Sequence, residues 1–189
     1  MPHYQKDFPP QEFKARWAKI YERIGDRAVA VIQGMPQVNG FIFPRQNNEF
    51  YYLCGIETPH SYLALDGRSK KAILYMPPRN RRLESAEGRV LSSDDADLVR
   101  KLTGADEVLS TAVMKEDQMP VVREAATIYA LFSPAEGAEQ SRGELRMANG
   151  SIKSDHWDGR ELRAVKSPRE IALVRGRAGP VRPAFVWPQ

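Results

Sequence analysis

Cysteine is nearly absent from this 189-residue chain: Cys54 is the only one. A disulfide scaffold is therefore excluded, and a reducing, cytoplasmic compartment is the default expectation. Histidine is almost as scarce, with His3, His60 and His156 alone. No two of them stand four residues apart, so no helical metal-binding pair exists. Apolar runs are short, and none approaches the roughly 20 residues that span a bilayer. The segment Met1-Pro2-His3-Tyr4-Gln5-Lys6-Asp7 has no apolar core, so no signal peptide is expected and the protein is read as free of the membrane. Neither a G-x-S-x-G elbow, nor a Walker-type loop, nor a G-x-G-x-x-G fingerprint occurs, which leaves hydrolase nucleophiles and nucleotide binding without support.

What remains is ordinary globular composition, 42% hydrophobic and 28% charged, enough for one domain with a real core. The net charge is +4, but its distribution matters more than its sum. Residues 160–189 carry seven basic side chains (Arg160, Arg163, Lys166, Arg169, Arg175, Arg177, Arg182) against Glu161 and Glu170. The rest, 21 basic against 22 acidic, is neutral. A phosphate-tracking protein carries its basic surface on the folded body, so nucleic acid is not expected as a partner.

Several elements are legible in the residue pattern. Phe13, Trp17, Ile20, Tyr21 and Ile24 line one helical face, closed by Gly25. Ala28-Val29-Ala30-Val31-Ile32 is an unbroken apolar run of the kind found in a strand covered on both faces. Phe50-Tyr51-Tyr52-Leu53-Cys54 reads as a further strand. Tyr62 to Leu65, then Asp66-Gly67, then Lys71 to Met76 reads as a hairpin. Arg79 to Gly88 reads as a polar loop in which the arginines pair with Glu84 and Glu87. Ser93 is placed to cap a helix ending at Gly104, and Thr111 one running to about Ala126. Glu107-Val108-Leu109 and Thr127 to Phe132 read as strands, and 133–159 as a loop. Ser167-Pro168-Arg169-Glu170 is a capping box with proline at the first helical position. The alternation indicates an α/β domain with a mixed β-sheet flanked by helices.

Chemistry is thinner. Asp155-His156-Trp157-Asp158 contains ligand types, but neighbours in a loop seldom converge on one ion. Asp94, Asp95 and Asp97 cluster at a helix start, where the macrodipole accounts for them. Cys54 follows apolar residues and reads as a buried structural thiol. The residues alone assemble no catalytic site.

One stretch adds more. Arg45-Gln46-Asn47-Asn48-Glu49-Phe50-Tyr51-Tyr52-Leu53-Cys54-Gly55, with Pro59 beyond it, resembles the hallmark of the N-terminal domain of aminopeptidase P, the Xaa-Pro aminopeptidases. The helix holding Phe13, Arg16 and Ile24, and the run from Met76-Pro77 through Glu84 to Gly88, are similar to the same domain. Glu161 to Ile171 is similar to the junction where that family leaves this domain. The resemblance implies a creatinase N-terminal domain-like fold with a ribonuclease-H-like motif. It implies domain 1–160, a junction and first catalytic-domain helix at 161–175, and a non-native or disordered tail at 176–189. It also implies that the catalytic "pita-bread" domain, whose two Asp, one His and two Glu hold two manganese ions, lies beyond Lys166-Ser167-Pro168 and outside this sequence, which reads as a gene fragment. No metal, cofactor or catalytic residue is then expected within the chain. Arg45, Glu49 and Tyr52 are the candidates for subunit or cleft contacts. Where relatives place an aromatic residue in the loop before Gly88, this sequence has Ser85-Ala86-Glu87, so that loop's reach toward a neighbouring subunit is not carried over. The expected role is a non-catalytic scaffold of a manganese-dependent enzyme that removes a residue preceding proline, with its own family's subunits and proline-containing peptides as partners. The alternative is a stand-alone peptide- or protein-binding module without hydrolysis.

Overall fold

The computed structural model describes residues 4–35, 46–113, 125–131, 152–153 and 159–177. The first helix, α1 (Pro10–Ile24), begins with proline at the position where a missing N–H costs nothing. It buries Phe13, Arg16, Trp17, Ile20 and Tyr21, the spacing of a single stripe. Gly25 ends it at φ 72°, and its N–H donates to the Tyr21 carbonyl at 3.1 Å.

β1 (Ala28–Gln33) follows, and its first five residues are buried. Among the described residues it lies inside a six-stranded sheet of order β4-β3-β2-β1-β5-β6. The strands are β2 (Tyr62–Asp66), β3 (Lys71–Met76), β4 (Glu107–Ser110), β5 (Thr127–Leu131) and β6 (Ile152–Lys153). β2 pairs antiparallel with β1 and β3, in registers that set Val31 opposite Ala64 and Leu63 opposite Leu74. The β1–β5, β3–β4 and β5–β6 pairs are parallel, with Ala30 opposite Tyr129 and Leu74 opposite Val108. The expected mixed sheet is therefore present.

Strand alternation divides the apolar residues between two faces. Ala30, Ile32, Leu63, Leu65, Ala72, Leu74 and Met76 join Phe13, Trp17 and Ile20 of α1, Phe50 and Leu53, and Val99 in the main core. Val29, Val31, Ala64, Ile73, Tyr75 and Ile128 build a second cluster on the other face. This two-sided burial explains why β1 reads as a continuous apolar run rather than an alternating one.

The hairpin turn depends on Gly67. A Cβ there would lie 1.9 Å from the Gly25 carbonyl oxygen, and the Gly67 N–H donates to Ala28 O at 2.9 Å. Only glycine permits the two backbones to cross so closely.

Four local expectations are corrected. Phe50 to Cys54 is no strand but part of α2 (Asn48–Cys54). Phe50, Leu53 and Cys54 are its buried residues, a helical spacing, and Asn47 and Gly55 (φ 67°) bracket it as caps. The polar stretch after β3 is not a loop throughout: α3 (Arg81–Glu87) forms there, capped by Asn80, whose side chain accepts from the Leu83 N–H at 3.1 Å. The Arg79–Glu84 pairing expected of it is present at 2.9 Å. The next helix is capped one residue earlier than expected. Ser92 precedes a 3₁₀ turn (Ser93–Asp95) that leads into α4 (Ala96–Thr103), and Gly104 ends it in the left-handed region at φ 78°. The stretch expected to be loop holds β6. Most of the helix expected from Thr111 and most of loop 133–159 lie outside the described residues.

Among the described residues two further helices follow, α5 (Gly159–Ala164) and α6 (Pro168–Arg177). The capping box forms as read. The Ser167 N–H donates to Glu170 Oε2 at 2.8 Å, and the Glu170 N–H donates to Ser167 Oγ at 3.1 Å. α6 includes Gly176 and Arg177, and residues 178–189 lie outside the described set.

Candidate functional site

The site is built around α2, the segment that carries the sequence hallmark. Gln46 holds its entrance. One amide oxygen accepts from the Met35 N–H at 2.5 Å and the Asn47 N–H at 2.8 Å, while its NH2 group donates to the Thr58 carbonyl at 3.1 Å. The end of β1, the cap of α2 and the loop after α2 are thus tied to one side chain. Asn47 Oδ1 accepts from the Glu49 N–H at 3.0 Å, satisfying one of the donors a helix start leaves free.

The carbonyls at the far end of α2 need donors, and α1 supplies them. Gly55 N–H donates to the Tyr51 carbonyl at 2.7 Å. Arg16 Nη1 donates to the Tyr52 carbonyl at 2.5 Å, and Trp17 Nε1 donates to the Leu53 carbonyl at 2.8 Å. The last turn of α2 contains no basic residue of its own, so the Arg16 charge also complements the negative end of its dipole.

Arg16 is only 5% exposed. Its guanidinium lies 3.9 Å from the Tyr52 ring centroid, 4.7 Å from that of Phe8 and 5.5 Å from that of Phe13. Two carboxylates balance the charge, Glu12 at 3.4 Å and Glu170 at 3.8 Å. A buried charge is tolerable only with such partners.

With Phe50, Leu53 and Cys54 turned inward, Glu49 and Tyr52 fall on the flank of α2 that meets α5. Glu49 Oε1 accepts from Arg163 Nη2 at 2.7 Å, and the Tyr52 hydroxyl donates to the Leu162 carbonyl at 3.1 Å. Leu162 itself packs against the main core. Arg169 Nε donates to the Asp7 carbonyl at 2.7 Å, adding α6 to the assembly. Of the three candidate contact residues, Glu49 and Tyr52 are therefore brought together, and Arg45 lies outside the described residues. Arg16, Gln46, Arg163 and Glu170 are members that the residue pattern did not single out as a site. The available signal was a charged residue, Arg16, on the otherwise apolar stripe of α1.

Burial shifts two ionisable side chains of α2. Burial raises the Tyr52 phenol above its ordinary range, and the adjacent Arg16 charge offsets this only in part. Burial likewise pushes the Cys54 thiol up, and its Sγ donates to the Phe50 carbonyl at 3.1 Å, as suits a structural cysteine. Among the described residues, no group of three or more His, Cys, Asp or Glu could hold a metal ion. Asp155 to Asp158 and His3 lie outside those residues. Among the described residues, no helix is long and apolar enough to cross a membrane.

Comparison with known proteins gives a consistent picture. The family model described as "Aminopeptidase P, N-terminal domain" matches residues 13–129. The chain is 25% identical over 183 residues to a Xaa-Pro aminopeptidase of Haemophilus influenzae, covering 91% of this chain and 41% of that protein. It is 24% identical over 175 residues to the mitochondrial intermediate cleaving peptidase 55 of Arabidopsis thaliana, covering 89% and 34%. The fold is similar to that of Escherichia coli aminopeptidase P with the inhibitor Pro-Leu. The TM-score is 0.74 at 22% identity, over 90% of this chain and 42% of that one. The chain thus spans well under half the length of the curated relatives it matches.

Proposed function

From its membership of the aminopeptidase P N-terminal domain family, we propose that this chain is the non-catalytic scaffold of a Xaa-Pro aminopeptidase. In this reading residues 1–160 are the scaffold, and 161–175 are the junction and first helix of a catalytic domain. The scaffold's work is to hold that junction, to shape the cleft leading to the catalytic centre and to meet further copies of the same protein. The chemistry, including manganese and the removal of a residue preceding proline, belongs to the part these residues do not include. Its substrates are proline-containing peptides. The cytoplasm remains the proposed compartment, on the strength of a lone buried cysteine.

One observation carries the proposal. The hallmark segment turns Glu49 and Tyr52 onto α5, and Arg16 behind them reaches Glu170 at the start of α6. The residues that mark the family thus spend their polar groups on the junction rather than on a pocket. Arg45, Glu49 and Tyr52 are proposed as residues for subunit or cleft contacts.

The test is direct. The purified chain, supplied with manganese, should not hydrolyse an Xaa-Pro dipeptide and should show no tight manganese binding by calorimetry. Hydrolysis by the pure protein that a chelator abolishes would overturn the proposal. Sedimentation equilibrium reads the subunit contacts, and a strictly monomeric chain at high concentration would remove that part of the role.

A further inference from the structure

The contacts that hold α5 and α6 differ in kind. α5 is anchored by packing as well as by polar bonds: Leu162 packs against the main core, Tyr52 bonds its backbone and Arg163 pairs with Glu49. Among the described residues, α6 contributes no side chain to either buried cluster. Ile171 stays 39% exposed and Val174 64% exposed, and Leu173 is half-buried. Its described contacts with the body are polar, Glu170 to Arg16 at 3.8 Å and Arg169 to the Asp7 carbonyl at 2.7 Å. Between the two helices stand Val165, Lys166 and Ser167, outside both helices, with Val165 75% exposed.

We infer that α6 is an arm latched electrostatically to the domain, with Arg16 as the catch and Val165-Lys166-Ser167 as the pivot. Two features make the latch reversible. The first is that opening does not orphan a buried charge. Arg16 keeps Glu12, the Tyr52 carbonyl and three aromatic faces when Glu170 leaves. The usual heavy cost of breaking a buried pair is thereby avoided. The second is that the two oxygens of Glu170 have separate duties. Oε2 completes the capping box of α6 and Oε1 faces Arg16. The arm therefore keeps its own first turn when it swings away, moving as a rigid helix rather than by melting. Closing is favoured by one ion pair beyond direct hydrogen-bond length and one charge-assisted hydrogen bond. Such contacts bias a two-state equilibrium by factors of about five to ten each, not by thousands.

Pulsed electron paramagnetic resonance on the whole chain tests this. Nitroxide labels are placed at Lys19→Cys, exposed on α1, and at Val174→Cys, with Cys54 protected from labelling by its burial. The parent should give one dominant distance. Glu170→Gln removes the charge but keeps a capping-box residue, since glutamine serves at that position as well as glutamate. In that variant the population at other distances should grow about fivefold. Raising salt from about 0.15 M to about 1 M, which shortens the screening length from ~8 to ~3 Å, should act in the same direction on the parent and weakly on the variant. The urea midpoint of the body should not move. An identical distance distribution in parent, variant and high salt would overturn the inference. So would loss of hydrogen-exchange protection along α6 in the variant, which would mean that the helix melts rather than swings.

Discussion

Replacing Gln46 by alanine removes a side chain that closes three backbone gaps at once. The Met35 and Asn47 N–H groups lose their acceptor, and the Thr58 carbonyl loses its donor. Each such bond contributes about 0.5–1.5 kcal/mol net, and a group left dry and unpaired costs about 1–3 kcal/mol. Thr58 is buried, whereas Gln46 and Met35 are half-buried, so water repairs part of the loss. The expected destabilisation is about 2–4 kcal/mol, against total stabilities of about 5–15 kcal/mol for a domain. Space adds to the effect, because the Gln46 amide fills the volume beside Gly34, where a Cβ would lie 3.0 Å from its Nε2. Urea unfolding gives the free energy, and native-state hydrogen exchange locates it: the Met35 and Asn47 amides should lose protection more than those in mid-β2. A change below about 0.5 kcal/mol with unaltered exchange at those two amides would refute the claim that this glutamine braces the hallmark helix.

The other predictions rest on independent contacts. Gly67→Ala should destabilise by about 2–4 kcal/mol in thermal or urea melts, since its Cβ would collide with the Gly25 and Ala28 carbonyl oxygens and strain the Gly67–Ala28 hydrogen bond. Trp17→Phe keeps most of the buried ring but strands the Leu53 carbonyl, and should cost about 1–3 kcal/mol. Burial alone would raise the Asp95 carboxyl, but hydrogen bonds from the Ser92 hydroxyl and N–H, together with Arg89, hold it below its usual value of 3.8. Its folded pKa is thus depressed, so its contribution is complete above about pH 4 and fades as pH falls through the folded value. Asp95→Asn should flatten that part of the acid-stability profile, and an unchanged slope would count against the assignment. Cys54 should resist aromatic disulfide reagents in the native state and react only on unfolding, because its thiol is buried and pushed up in pKa.

Local signals made α1, β1, the β2–β3 hairpin and the α6 capping box legible, because each is specified within a short contiguous stretch of sequence. α2 was misread for a physical reason. Phe50-Tyr51-Tyr52-Leu53-Cys54 is rich in aromatics, which favour strands, yet the brackets Asn47 and Gly55 and the spacing of Phe50, Leu53 and Cys54 decide for a helix. α3 was missed because its cap, Asn80, stands amid arginines that read as loop. Glu49 and Tyr52 emerged from the resemblance, but no periodicity reveals their partners: the Glu49–Arg163 pair spans 114 positions. Arg16 is the clearest case. A charge on an apolar stripe signals a buried pair somewhere, and only the folded chain discloses that Glu170 completes it.

The pairing of β1 has a consequence for biosynthesis. One edge of this strand meets β2 almost at once, while the other waits for β5, whose residues are translated only after position 126. Until then the nascent polypeptide displays the unsatisfied backbone of Ala28 to Ile32, flanked by nothing but methyl and methylene groups. That is a template for intermolecular strand addition. Shielding by the ribosome exit port or a holdase is most needed during that interval, and truncation anywhere between residues 77 and 126 should send the product to inclusion bodies rather than to a smaller soluble fold.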